Sequence, residues 1–278
     1  AAGFHPLRIV GGVSRETPAG DSYLYSNNCT FARSVLEEGF NRNLDFLDGL
    51  VACNTCDHIR RMFDAWIQYL HTPFTKILGI PCKVSETTLE YFTQELRLFL
   101  RDLEEAFGDA ITDESLREAI RLYNRSRFLL MRLNDLRKQD PPPVLGSEVA
   151  EVIRAGWVLP RRRYNELLEE FLSQVEKRDR SEFADRPRML LFGSELDDPG
   201  YYRVIEDEGA IVVADLLCGG SRYFWQEVKE EGDPIEAIAY RYLTRLPCNR
   251  MHPAEDRVRL LQERAQEFNV DGVIHQSI

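Results

Sequence analysis

A short apolar run that leads directly into an amphipathic helix constrains the fold of this chain most. Residues 50–52 are apolar, and from His58 onward apolar residues recur at helical spacing. The junction between the two patterns carries Cys53 and Cys56, together with polar residues typical of a helix N-terminus. The stretch therefore predicts a buried β-strand followed closely by a helix, as in α/β proteins.

Strand and helix patterns alternate near both ends of the chain. The first part has apolar runs over 7–10, 50–53 and 76–82, a polar loop around Pro18, and helices from Asn27 or Asn28 to Gly39 and over 56–70. The last part has apolar runs over 188–193, 210–215 and 270–275, a glycine-rich loop over 218–222, and helices over 198–208, 234–246 and 255–268. Such alternation predicts parallel sheets covered by helices.

The middle of the chain is helical. Amphipathic patterns cover residues 86–107, 112–138, 147–156 and 163–178. The predicted fold class is therefore α/β, with two parallel-sheet, Rossmann- or flavodoxin-like three-layer units joined by a helical segment. The predicted domains are an N-terminal α/β domain over 1–85, a helical linker segment over 86–185, and a C-terminal α/β domain over 186–278.

Charge and cysteine content narrow the class of protein. The chain has 35 Lys and Arg against 46 Asp and Glu, so its net charge of −11 argues against nucleic acid as the main partner. No apolar run approaches the roughly 18 residues of a transmembrane helix, and there is no signal-peptide pattern. Six cysteines are too few for a disulfide scaffold, so we expect reduced thiols and a cytoplasmic protein. We also expect the natural chain to extend beyond both ends.

Three cysteines stand where parallel strands are predicted to end. Cys29 and Cys56 lie at helix starts, where unpaired N–H groups and the helix dipole favour a thiolate. Such a thiolate is a good ligand for a soft metal or an iron–sulfur cluster. A zinc site using Cys53 and Cys56 would need two further close ligands, and the sequence has no second Cys-x-x-Cys or histidine pair.

Several motifs in this order resemble the D-component family of (R)-2-hydroxyacyl-CoA dehydratases and ATP-dependent benzoyl-CoA reductases. They are the opening over 1–12, Cys29 before a helix, the Cys56-Asp57 pair after a strand, GSELDDP over 193–199, DLLCGGSR over 215–222 and VDGVI over 270–274. The resemblance covers nearly the whole chain.

The resemblance implies a 4Fe-4S cluster in a crevice between two α/β domains, with an acyl-CoA substrate above it. Cys29 and Cys56 match two of its three cysteine ligands. The third is expected just beyond Ile278, so the cluster would be incomplete within these 278 residues. The implied reaction is 2-hydroxyacyl-CoA dehydration or benzoyl-CoA-type ring reduction, begun by one-electron reduction of the CoA thioester. The implied partners are a related or identical second subunit and a separate ATP-hydrolysing iron–sulfur activator.

Other residues carry hypotheses that the sequence leaves open. If Cys53 and Cys218 also bind iron, the resemblance favours the double-cubane branch, which reduces small unsaturated molecules. A non-catalytic scaffold subunit is a further alternative. Cys82 and Cys248 are expected to be structural.

The remaining candidates each have a functional and a structural interpretation. Ser26 either faces the substrate or open iron, or closes a turn. His58 is either a proton carrier or a hydrogen-bonded structural residue. Arg222, with Gly219 and Gly220, either binds the CoA part of the substrate or forms a salt bridge beside an ordinary turn.

Overall fold

The computed structural model describes residues 3–11, 16–179, 181–193, 195–196, 198–248 and 250–276. The chain forms two compact units, an N-terminal unit over Arg8–Ile111 and a C-terminal unit over Thr112–Ile278 that also includes Gly3–Leu7. The ring of His5 bonds the carbonyl oxygen of Val158 at 2.9 Å, which ties the opening segment to the C-terminal unit. The segment predicted over 86–185 is thus divided between the two units.

The N-terminal unit combines a short parallel sheet with helices. Its elements within the described residues are α1 (Pro18–Tyr23), α2 (Thr30–Phe40), β1 (Gly49–Cys53), α3 (Asp57–Tyr69), β2 (Phe74–Leu78) and α4 (Glu86–Phe107). Strands β1 and β2 pair in parallel.

Helices cover both faces of this sheet. Leu50 and Ala52 of β1 form one apolar core with Leu36 of α2 and Trp66 of α3, and Ile77 of β2 packs against the same core. Side chains alternate between the two faces of a strand, so the residues of β1 and β2 that come between these core residues point to the opposite face of the sheet.

Helix α4 packs on that opposite side. The ring of Phe74 in β2 lies 5.6 Å from the ring of Phe107, and Lys76 forms an ion pair with Asp102 at 2.5 Å. Phe74 and Lys76 are two positions apart, as side chains on one face of a strand must be.

The C-terminal unit begins with three helices and continues with a parallel sheet. Its elements are α5 (Asp113–Leu136), α6 (Gly146–Ala155), α7 (Arg161–Val175), a 3-10 turn (Ser181–Phe183), β3 (Arg188–Gly193), α8 (Gly200–Asp207), β4 (Ile211–Leu216), α9 (Ser221–Phe224), α10 (Pro234–Thr244), α11 (Glu255–Glu267) and β5 (Gly272–Gln276). The strand order is β4-β3-β5, and both pairings are parallel.

Successive residues of β3 face two different apolar cores. Leu190 packs with Phe268 and with Ala265 of α11. Leu191 packs on the other face with Tyr202 of α8 and Ala150 of α6. The predicted α/β class is therefore confirmed at the level of a mixed protein with short parallel sheets and many helices.

Three local predictions near the N-terminus were wrong. Residues 7–10 form no strand; Ile9 packs against the N-terminal core without pairing. The polar loop predicted around Pro18 contains α1, because the fixed φ of proline suits the first position of a helix. Asn28 is not the N-cap of α2: its side chain and its N–H both bond Tyr25 O, so it closes a turn instead.

The loop predicted over 218–222 is shorter than expected, because Ser221 and Arg222 open α9. The resemblance also used residues 1–2, Gly12, Ser194 and Asp197, which lie outside the described residues. Within the described part of the chain, no helix is both long and apolar enough to cross a membrane.

Candidate functional site

Cys29 and Cys56 occupy the same position on two neighbouring helices. Cys29 is the N-cap of α2 and Cys56 is the N-cap of α3; both have extended backbones and partly buried side chains. N-caps are usually Ser, Thr, Asn or Asp, whose side-chain oxygen accepts a first-turn N–H. Neither cysteine makes a side-chain cap hydrogen bond. Each thiol therefore lies beside the positive end of a helix without acting as its cap.

One hydrogen bond joins these two helix starts. The backbone N–H of Cys29 donates to Nδ1 of His58 at 2.7 Å. His58 is in the first turn of α3, two residues after Cys56, whose carbonyl oxygen accepts the N–H of Arg60 at 3.1 Å. The structure thus brings the Cys29 and Cys56 junctions together through the His58 side chain.

The direction of this bond shows which ring nitrogen of His58 acts as an acceptor. A backbone N–H can only donate, so Nδ1 of His58 accepts and carries no hydrogen. The ring hydrogen of the neutral side chain is then on Nε2. For His58 the sequence suggested either a proton carrier or a hydrogen-bonded structural residue. The observed bond engages Nδ1, which is one of the two ring nitrogens.

Cys53 lies on a different side of the strand. It is the last residue of β1, opposite Leu78 of β2, and it shares a strand face with Val51. Cys29 packs against the core that contains Ala52, which is on the other face. In the Cys-x-x-Cys pair, Cys53 therefore belongs to strand β1, whereas Cys56 belongs to the start of helix α3.

Ser26 lies in the turn before α2. The N–H of Asn28 donates to Tyr25 O at 2.8 Å and closes this turn, and Ser26 within it is exposed. The structure thus places Ser26 three residues before Cys29 at an accessible position.

The donor set fits part of a soft metal site. No group of three or more His, Cys, Asp or Glu side chains within the described residues is arranged to hold a metal ion. The thiols of Cys29 and Cys56, placed at helix N-termini, have the chemistry of two iron–sulfur ligands. Further ligands would have to come from other residues.

In the C-terminal unit, the motif over 215–222 forms a tight turn at the carboxyl end of β4. Asp215 accepts the N–H of Ser221 at 2.6 Å through Oδ1 and pairs with Arg137 at 3.1 Å through Oδ2. A Cβ atom at Gly220 would lie 1.9 Å from Asp215 Oδ1, so this position has no room for a side chain. The N–H of Gly220 donates to Leu217 O at 3.2 Å.

Arg222 is 1% exposed and bonds backbone carbonyls. Its Nη1 donates to Gly193 O at 3.1 Å and to Leu216 O, and its Nε donates to Pro247 O at 3.1 Å. Burial lowers the pKa of the Arg222 guanidinium. We interpret Arg222 as a structural tie between the ends of β3 and β4 and the segment before Cys248.

Gly219 also lets neighbouring side chains lie close to its backbone. A Cβ there would lie 2.6 Å from Glu195 Oε1 and 3.0 Å from the ring of Trp157. Burial raises the pKa of the neighbouring Cys218 thiol, and the charge of Glu195 raises it further. Cys218 is therefore a poorer thiolate ligand, at neutral pH and without metal, than a cysteine at ordinary pKa. Of the other cysteines, Cys82 is exposed and Cys248 is partly buried.

Sequence reasoning missed two contacts in these regions. The bond from Cys29 to His58 joins residues 29 positions apart, and the pair of Arg137 and Asp215 joins residues 78 positions apart. No local pattern predicts either one.

Comparison with known proteins gives one consistent answer. Residues 1–278 match the family described as 2-hydroxyglutaryl-CoA dehydratase, D-component. The chain is 30% identical to a benzoyl-CoA reductase subunit of Thauera aromatica over 281 residues, which cover 99% of the chain and 72% of that protein. It is 22% identical to the (R)-phenyllactyl-CoA dehydratase beta subunit of Clostridium sporogenes over 277 residues, 99% of the chain and 73% of that protein.

A third relative is the beta subunit of (R)-2-hydroxyglutaryl-CoA dehydratase from Acidaminococcus fermentans. It is 26% identical over 245 residues, which cover 87% of the chain and 64% of that protein. The resemblance suggested by the sequence motifs is thereby confirmed. The chain is an enzyme subunit that belongs to the 2-hydroxyglutaryl-CoA dehydratase D-component family.

Proposed function

We propose that this chain is the iron–sulfur subunit of an enzyme that activates a CoA thioester by one-electron reduction. The reaction is either 2-hydroxyacyl-CoA dehydration or benzoyl-CoA-type ring reduction, since relatives with both kinds of name match the chain. The observation that carries the proposal is the pair of N-cap cysteines, Cys29 and Cys56, whose helix starts are joined by His58.

Cys29 and Cys56 are proposed to bind a 4Fe-4S cluster together with a third thiolate. The first-turn N–H groups of α2 and α3 and the dipoles of these helices stabilise negative charge on the two thiolates. When bound, the cluster supplies one-electron chemistry at low potential. Ser26, exposed just before Cys29, is proposed to face the substrate.

The proposed assembly contains a related or identical second subunit and a separate ATP-hydrolysing iron–sulfur activator. The relatives are named as subunits, which supports a multi-subunit enzyme. We also propose that each sheet is the centre of a Rossmann- or flavodoxin-like layer. Helices on both faces of both sheets support this arrangement.

Anaerobic reconstitution of the full chain tests the proposed function. We expect a brown protein with thiolate-to-iron absorption and about four irons per chain. Cys29→Ser and Cys56→Ser should each lower the bound iron severalfold. Cys82→Ser is the matched control, because Cys82 is exposed and lies at neither helix start.

The other outcomes separate the alternatives. Stoichiometric zinc in a colourless protein would contradict the cluster. About eight irons per chain, lost on substitution of Cys53 or Cys218, would instead support the double-cubane alternative. Cys53 lies on the strand face opposite the core against which Cys29 packs, which argues against that outcome.

A further inference from the structure

We propose that His58 is a positioning residue whose Nδ1 holds Cys29 in place relative to Cys56 before any iron binds. The inference rests on the proposed function for the ligand role of the two cysteines. It assigns His58 a task that differs from proton transfer, because the task depends on Nδ1 as an acceptor.

The geometry of the bond supports this role. The 2.7 Å contact joins the backbone nitrogen of Cys29 to a ring in the first turn of α3, and both residues are partly buried. The N–H of an N-cap residue lies outside the ladder of its own helix and needs another partner. His58 supplies that partner from the adjacent helix.

The bond acts on the thiols through short, rigid connections. Cys29 O accepts the N–H of Arg33 at 3.2 Å and Cys56 O accepts the N–H of Arg60 at 3.1 Å, so both backbones are fixed to their helices. The link from Cys29 to α3 runs through one hydrogen bond and the χ1 and χ2 rotations of the His58 side chain, and His58 is two residues from Cys56 in the first turn of α3. Each Cβ is attached directly to a backbone that this link constrains. Without it, the spacing of the two thiols would depend on the apolar packing that α2 and α3 share with β1.

Substitutions can separate an acceptor from a proton carrier. In asparagine, Oδ1 is the same number of bonds from Cβ as Nδ1 is in histidine, and it accepts hydrogen bonds but does not titrate. Leucine has a similar size and offers no acceptor. His58→Asn should therefore retain the link, and His58→Leu should lose it. His71→Leu is the matched control, because His71 is exposed just after α3.

Amide hydrogen exchange at Cys29 tests the link without any metal. His58→Leu should raise the exchange rate of the Cys29 amide about fivefold, which corresponds to the roughly 1 kcal/mol of one hydrogen bond. His58→Asn and His71→Leu should stay within about twofold of the wild type. Amides in the middle of α4 serve as an internal reference, since they report general loosening of the unit.

Iron retention after reconstitution tests the consequence for the thiols. Under a chelator challenge, His58→Leu should lose iron about fivefold faster than the wild type, because it lacks the same hydrogen bond of roughly 1 kcal/mol. Its thiolate-to-iron absorption should also change. His58→Asn should match the wild type in both. If His58→Asn behaves like His58→Leu, or if His58→Leu exchanges and retains iron like the wild type, the inference is overturned. A wild-type protein that takes up no iron would overturn the proposed function, while the exchange experiment would still decide whether His58 holds Cys29.

Discussion

Replacing Arg137 with methionine should destabilise the C-terminal unit strongly. The guanidinium of Arg137 is fully buried and its Nη1 lies 3.1 Å from Oδ2 of Asp215, whose side chain is 2% exposed. Methionine fills much of the volume but leaves the Asp215 carboxylate buried with the Ser221 N–H and without the cation that pairs with it directly. Arg222 stays within electrostatic range of Asp215 but forms no ion pair with it among the described contacts. Removing one partner of a buried pair in this way costs about 3–5 kcal/mol. The bond from Arg137 to Val212 O would be lost as well.

Urea unfolding followed by circular dichroism measures this cost. Arg132→Met is the matched control, because Arg132 is in α5, whose C-cap is Arg137, and it pairs with Glu176 at 2.6 Å while both side chains remain over 40% exposed. An exposed ion pair contributes about 0–1 kcal/mol. We therefore expect a clear difference in the free energy of unfolding between the two variants.

A second substitution tests the reason for the loss. Adding Asp215→Asn to Arg137→Met removes the unpaired charge and should recover at least about 1 kcal/mol. If Arg137→Met is no less stable than Arg132→Met, or if the double variant recovers nothing, then the buried charge of Asp215 is not what makes Arg137 necessary.

Two further predictions concern the turn after β4. Gly220→Ala should cost about 1–3 kcal/mol in the same unfolding assay, because its Cβ would meet Asp215 Oδ1, which Arg137 and Ser221 hold in place; a cost below about 0.5 kcal/mol would contradict this. The alkylation rate of Cys218, followed by mass spectrometry, should keep rising as the pH passes the ordinary thiol pKa of about 8.5, because the folded protein holds this proton more tightly. An alkylation rate that levels off near that pH would contradict the raised pKa. Because the unfolded chain releases this proton at a lower pH than the folded protein, Cys218 should also lower the free energy of unfolding as the pH rises above about 8.5.

Elements with local end signals could be predicted closely from the sequence. Helix α4 covers the predicted residues 86–107, with a hydrogen-bonded capping box at Ser85 and Thr88 and a left-handed C-cap at Gly108. Strand β3 likewise covers the predicted residues 188–193. Caps, turn residues and hydrophobic periodicity act within a few residues, so a single sequence contains them.

Elements that depend on distant partners could not be predicted. An apolar run such as 7–10 becomes a strand only if a neighbouring strand accepts it, and here Ile9 packs against the core unpaired. The same limit applies to the candidate site. The positions of Cys29 and Cys56 at helix starts follow from local patterns, whereas the link through His58 depends on how α2 packs on α3.

The structure changes how the Cys-x-x-Cys spacing should be interpreted. Two cysteines three positions apart on one helix or in one loop often share a site, but here the chain changes from strand to helix between them. Cys53 continues the ladder of β1, because the following N–H of Asn54 still donates to Leu78 O at 2.8 Å, and its side chain follows the strand face on which α4 packs. Cys56 instead is the N-cap of α3, a helix whose Met62 and Trp66 belong to the core against which Cys29 packs. The hydrogen bond through His58 therefore favours the proposed pairing of Cys56 with Cys29, 27 residues earlier, even though Cys53 is much closer in sequence.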